Sequence, residues 1–216
     1  FNHASQYEGV SHKCGHDGHM AIVAGLAKHL GDHPPVHGRV VLLFQPSEEN
    51  GEGANAVVND DKFNTITPNY LVALHNIPGE PKHKIICKEG SFTPAVKSII
   101  IELHGKTSHA AEPENGINPA LAIAEILQET NKLQVHENKD DFALVTPIQV
   151  DMGEEAYGIS AGHGIVRLTL RTWNNETMEI LAKQVVTITN RVAQYYSLIC
   201  DISYTQYFAA NENDKI

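Results

Sequence analysis

The chain has 216 residues, 42% of them hydrophobic and 19% charged, which is the composition of a globular protein able to bury a core. Its formal net charge of −10 excludes the partners that want a basic face, nucleic acid and anionic membrane surfaces. No apolar run reaches the length of about 18 residues that a spanning helix needs, and the three cysteines, Cys14, Cys87 and Cys200, form no C-x-x-C pair. That usage argues against a disulfide framework and for a reducing compartment, so the expected location is the cytoplasm.

Along the chain, Met20, Val23, Ala27 and Leu30 recur at helical spacing after the turn Cys14-Gly15-His16, and Gly31 stands where a helix C-cap belongs, with Pro34 and Pro35 beyond. Arg39 to Phe44 and Tyr70 to Leu74 are short continuous apolar runs, the pattern of strands buried on both faces of a parallel sheet. A short helix is expected over Ala54 to Val58. Helix alternating with buried strand predicts a doubly wound α/β sheet, yet two strands and a helix cannot cover both of its faces. Residues 1–90 therefore read as part of a larger domain.

From about Gly90 the pattern changes. Lys97 to His104 alternates around Ile99, Ile101 and Leu103 as a half-buried strand does. Asn118 and Pro119 open a helix carrying Leu121, Ile123, Ile126 and Leu127. Phe142 to Met152 and Gly164 to Trp173 read as strands. Met178, Leu181, Val185, Ile188, Val192 and Tyr195 form one helical stripe, and Ile199 to Tyr207 closes the set as a strand. The order β-α-β-β-α-β is the ferredoxin-like arrangement, expected over residues 91–207.

Four potential ligands crowd Cys14-Gly15-His16-Asp17-Gly18-His19, where a thiolate two residues from an imidazole can grip a borderline metal. Alone, the cluster also reads as a structural turn. Glu48 and Glu49 follow an expected strand, where one carboxylate can coordinate metal while the other acts as general base. They also read as a solvated loop. His75 ends the second apolar run. The three segments gain weight by converging on one expected sheet edge, where open α/β sheets bind ligands. His109, in the loop Gly105-Lys106-Thr107-Ser108-His109, reads by itself as a packed side chain.

The segments HKCGHDGHMA (12–21), GRVVLLFQPSEENGEGA (38–54), ALHNIPG (73–79) and HGKTSHAAEPENGINPA (104–120) resemble the co-catalytic metallopeptidases that include aminoacylase, carboxypeptidase G and succinyl-diaminopimelate desuccinylase. The likeness is to their amidohydrolase branch in particular, which holds hippurate hydrolase, N-acetyl-diaminopimelate deacetylase and the auxin-conjugate hydrolases. The resemblance implies two divalent ions, Zn²⁺ on thiolate softness with Mn²⁺, Co²⁺ or Ni²⁺ as alternatives. It implies Cys14 (bridging), His16, Glu49 and His75 as ligands, Glu48 as general base, and Asp17 and His19 as residues orienting the ligands. It implies that residues 91–207 are a lid that forms a homodimer, with His109 serving the partner's oxyanion. The substrate implied is an N-acyl amino acid or small peptide, a dipeptide being the alternative. The family's fifth metal ligand, a C-terminal histidine, has no counterpart here, and residues 208–216 would begin a return to the catalytic domain. On this likeness the chain reads as truncated at both ends, and a metal-binding or dimerisation fragment without catalysis is the other expectation. Where relatives carry a substrate-contacting Asn, this chain has Gly158 to Gly164, with His163 as the available substitute.

Overall fold

The computed structural model describes residues 4–135 and 142–215. The chain divides into two compact units, Phe1–Ile86 and Cys87–Ile216.

In the first unit, helix α1 (His16–Asp32) starts at Gly15, whose φ of 81° lies in the left-handed region, and helix α2 (Glu52–Val58) starts at Gly51. A short 3-10 turn spans Asp61–Thr65. No strand occurs among the described residues of this unit, so the two strands expected at 39–44 and 70–74 are not formed there. Arg39 to Phe44 and Tyr70 to Leu74 run without ladder partners, and Tyr70 and Val72 are each 91% exposed. The physical reason is that a strand is completed only by a neighbour's N–H and C=O groups. An apolar run specifies willingness to pair, not a partner. The α1 stripe likewise stays unburied, and the helix continues through Gly31 to Asp32.

The second unit has β-α-β-β-α-β connectivity: β2 (Ala95–His104), α3 (Ala120–Asn131), β4 (Ala143–Met152), β6 (His163–Thr172), α4 (Asn175–Tyr195) and β7 (Ile199–Phe208), accompanied by the short strands β1 (Gly90–Thr93), β3 (Ser108–His109), β5 (Ile159–Ser160) and β8 (Asn211–Asn213). The four long strands form one antiparallel sheet in the order β4-β6-β2-β7. Beside it stand the pairs β1-β8 and β3-β5.

Side chains alternate across a strand with period two. Ile99, Ile101 and Leu103 therefore share one face with Val166, Leu168 and Leu170, all fully buried against Ile126, Met178 and Val185 of the helices. Ser98, Ile100, Glu102 and His104 alternate onto the opposite, more open face. Asn174 caps α4 by accepting a hydrogen bond from Thr177 N–H at 2.7 Å, and Asn118 Oδ1 accepts from Ala120 N–H at 2.8 Å. Two expected core residues lie outside it. Leu121 and Tyr195 are exposed, and the phase of each helix buries Ala122 and half-buries Tyr196 instead.

Candidate metal centre

The left-handed turn at Gly15 sets Cys14 and His16 on either side of the start of α1. A Cβ at Gly15 would come within 3.1 Å of Asn76 Oδ1, so the backbone is pinned against the segment that carries His75. Cys14 Sγ lies 3.4 Å from His75 Nε2. On the other side of that ring, His75 Nδ1 is 2.8 Å from the Asn76 carbonyl. Nδ1–H donates to that oxygen, which leaves the Nε2 lone pair facing the thiol, the tautomer a metal ligand needs.

Glu48 and Glu49 are placed by a tight turn. Ser47 has a φ of 51°, a left-handed backbone that costs a non-glycine residue energy. Gly51 N–H donates to the Glu48 carbonyl at 2.9 Å and Gly53 N–H to the Ser47 carbonyl at 3.1 Å. The turn brings Glu48 Oε2 to 3.3 Å from His16 Nε2 and Glu49 Oε1 to 3.7 Å from His16 Nδ1. His16 Nε2 is nevertheless buried without a hydrogen bond. A buried ring nitrogen with no partner, beside a thiol, a second imidazole and two carboxylates, is the donor chemistry that a divalent ion satisfies.

Two groups of side chains have ligand atoms within 4.8 Å of one another: Cys14, His16 and His75, and His16, Glu48 and Glu49. His16 is the shared member, whereas the resemblance puts the bridge at Cys14. Burial raises the Cys14 thiol above its ordinary range, and the charges of Glu49 and Glu48 add to the rise. A bound cation would reverse that effect, because a coordinating thiol is deprotonated.

His19 does not join the groups. Its Nε2 lies 2.6 Å from Asn76 Oδ1 and 3.0 Å from the Asn76 backbone N–H. A proton on Nε2 serves the first and a lone pair serves the second, so Asn76 fixes the ring whichever tautomer is present. Sequence reasoning missed Asn76. Its one signal was its place directly after His75. Asp17 sits exposed in the first turn of α1, where a negative charge suits the helix N-terminus. Among the described residues no hydrogen bond joins it to these ligand candidates.

In the second unit, His109 lies on β3, paired with β5. Glycines allow the two loops to touch: a Cβ at Gly162 would stand 2.3 Å from Thr107 N, and Gly105 N–H donates to the Gly162 carbonyl at 2.7 Å. His109 is exposed, and its Nδ1 accepts from Ala111 N–H at 3.1 Å. A neutral ring then carries its proton on Nε2. His163 stands on β6 opposite His104.

The profile of peptidase family M20/M25/M40 matches residues 2–210. N-acetyldiaminopimelate deacetylase of Bacillus velezensis is 33% identical over 184 residues, covering 84% of this chain and 48% of that protein. N-acetyl-L-cysteine deacetylase of Bacillus subtilis is 28% identical over 204 residues, covering 94% and 48%. Among solved structures, the Bacillus subtilis YXEP protein, described as a dinuclear metal binding peptidase from the M20 family, superposes with a TM-score of 0.71 at 25% identity, covering 98% of this chain and 53% of that one. The chain spans about half the length of the curated relatives it matches.

Proposed function

The chain belongs to the M20/M25/M40 peptidase family, and on that premise we propose that it carries the metal centre of an amidohydrolase that releases an amino acid from an N-acyl amino acid or small peptide. The observation that carries this reading is the gathering of Cys14, His16, Glu48, Glu49 and His75, from three separate segments, into two groups whose ligand atoms lie within 4.8 Å of one another. Cys14, His16, Glu49 and His75 would hold two divalent ions, Zn²⁺ being favoured by the thiolate, with Mn²⁺, Co²⁺ and Ni²⁺ also suited to such mixed donors. The relative described as dinuclear supports the count. When bound, the ions supply Lewis acidity toward the scissile carbonyl and the attacking water.

The remaining steps belong to protein groups. Glu48, half exposed beside His16, takes the proton of the attacking water and returns it to the leaving amine. His75 keeps its ligand tautomer through the Asn76 carbonyl, and Asn76 in turn holds His19. His109 offers Nε2–H to the oxygen that gains negative charge. Donors of this kind contribute roughly 10²–10³ in rate. Its exposure suits service to a second copy, in a homodimer joined through the β-α-β-β-α-β unit acting as a ferredoxin-like lid over residues 91–207, with residues 1–90 in the catalytic domain and 208–216 leading back to it. Pairing of β1 with β8 supports a lid whose entering and leaving segments run side by side.

The test is Glu48→Gln in the intact enzyme, assayed on N-acetyl and N-benzoyl amino acids and on dipeptides. Metal content should stay unchanged while kcat falls about 10²–10⁴-fold, the contribution of a positioned general base. Activity near that of the wild type would remove Glu48 from the mechanism, and faster turnover of dipeptides would make the enzyme a dipeptidase.

A further inference from the structure

A second group of donors stands on the open face of the four-stranded sheet, in the unit that lacks the first centre. The β2-β6 register sets His104 directly opposite His163, and the β2-β7 register sets Glu102 opposite Asp201. Glu102 and His104 are two residues apart on one strand, so both project from the face opposite the buried Ile101 and Leu103. The two imidazole rings lie 5.1 Å apart between centroids. Glu102 Oε2 is 3.9 Å from both His104 Nε2 and His163 Nε2, and Asp201 Oδ2 is 3.1 Å from His104 Nε2.

We propose that Glu102, His104 and His163 form a binding site for one divalent ion of the zinc class, with the Asp201 carboxylate beside it adding negative charge. Three donor atoms from these residues lie within 4.8 Å of one another. Bonds of about 2.0–2.2 Å in a tetrahedral site place ligand atoms roughly 3.4 Å apart. The arrangement therefore closes on an ion by small side-chain rotations, without moving the backbone. That backbone is stiff, because β2 pairs with β6 over ten consecutive rungs. All three side chains are partly exposed, so an ion can enter and water can complete the coordination. Among the described residues, only the two histidines come within ion-pair distance of Glu102, and no Lys or Arg neutralises the site. Imidazole-rich donor sets of this kind select Zn²⁺, Ni²⁺ or Cu²⁺ over Mg²⁺ and Ca²⁺.

The site is independent of the Cys14–His16–His75 group, and the experiment keeps the two apart. Zn²⁺ is titrated calorimetrically into the full chain, into His163→Gln and His104→Gln, and into His16→Ala. Each of the first two variants should lose one Zn²⁺ equivalent per chain, while His16→Ala retains that equivalent whatever happens at the other centre. Glu102→Gln should weaken the same equivalent, because it removes the one anionic ligand of the three. Ni²⁺ added to ¹⁵N-labelled protein should broaden amide signals at the His104 end of β2 and the His163 end of β6. Equal stoichiometry in the wild type and His163→Gln, or broadening that spares those strand ends, would overturn the proposal.

Discussion

Replacing Gly53 by alanine probes how the carboxylates of the metal centre are held. A Cβ at Gly53 would stand 1.7 Å from the Pro46 carbonyl oxygen and 2.9 Å from its carbon. Ordinary approach of carbon to a carbonyl oxygen is about 3.3 Å, so the backbone must open by roughly 1.6 Å. The opening falls on the turn from Pro46 to Gly53, held by the Gly53–Ser47 and Gly51–Glu48 hydrogen bonds. Glu48 and Glu49, now 3.3 and 3.7 Å from the two His16 ring nitrogens, ride on that turn. Metal coordination tolerates about 0.2 Å, so a displacement of this size takes the Glu49 oxygen out of reach. Competition of Zn²⁺ against a chromogenic chelator should show the high-affinity component weakened at least 10–100-fold, the range for lost ligand support. Gly25→Ala is the control: nothing lies within 4 Å of its Cβ, and alanine in a helix interior stabilises by roughly 0.5–1 kcal/mol. Gly53→Ala protein that binds Zn²⁺ as tightly as Gly25→Ala would refute the argument that this turn positions the ligands.

Leu168→Ala should destabilise the second unit by about 2–5 kcal/mol, since the side chain is fully buried in the sheet core; urea unfolding followed by circular dichroism reads the shift. Cys14 should alkylate more slowly than the exposed Cys87, because burial and the Glu49 and Glu48 charges hold it as a thiol to higher pH, and only the thiolate reacts. The sign follows for stability too. A folded-state value above the unfolded one contributes fully below the unfolded value and is lost as pH rises through the folded one. Mass spectrometry of iodoacetamide-treated protein across a rising pH series checks the order of labelling, and Zn²⁺ should slow the labelling of Cys14 further.

The sheet of the second unit was legible in the sequence because alternation is a local property. Ile99, Ile101 and Leu103 announce one buried face, and Val166, Leu168 and Leu170 another, without knowledge of a partner. What alternation cannot supply is register. That His104 faces His163 follows only from the ten-rung pairing of β2 and β6, so the donor group on the open face could be read from sequence only as far as Glu102 and His104. The same limit explains the first unit. Arg39 to Phe44 has the composition of a buried strand, but the ladder that would make it one depends on backbone groups elsewhere. The misplaced Leu121 and Tyr195 are smaller errors of helix phase, where one residue of rotation exchanges a buried neighbour for an exposed one.

The metal centre divides along a similar line. Cys14 and His16 are joined by a turn that the glycines already signal, whereas Cys14 and His75 meet across 61 residues and Glu48 reaches His16 through a strained Ser47 that the sequence hides. Closing loops of that length costs conformational entropy that rises only slowly with loop size, but it has to be offset. The contacts that join these segments are polar: thiol to imidazole, imidazole to carbonyl, His19 to Asn76, carboxylates to His16. Ions bound by Cys14, His16, Glu49 and His75 would tie the same segments together, and metal affinity gained only in the folded arrangement is folding free energy. On this reasoning the donors of the first unit are structural as well as chemical. The second unit, with its own buried core, has no such need of an ion at Glu102, His104 and His163, which is why substitution there should cost a binding site and leave the fold intact.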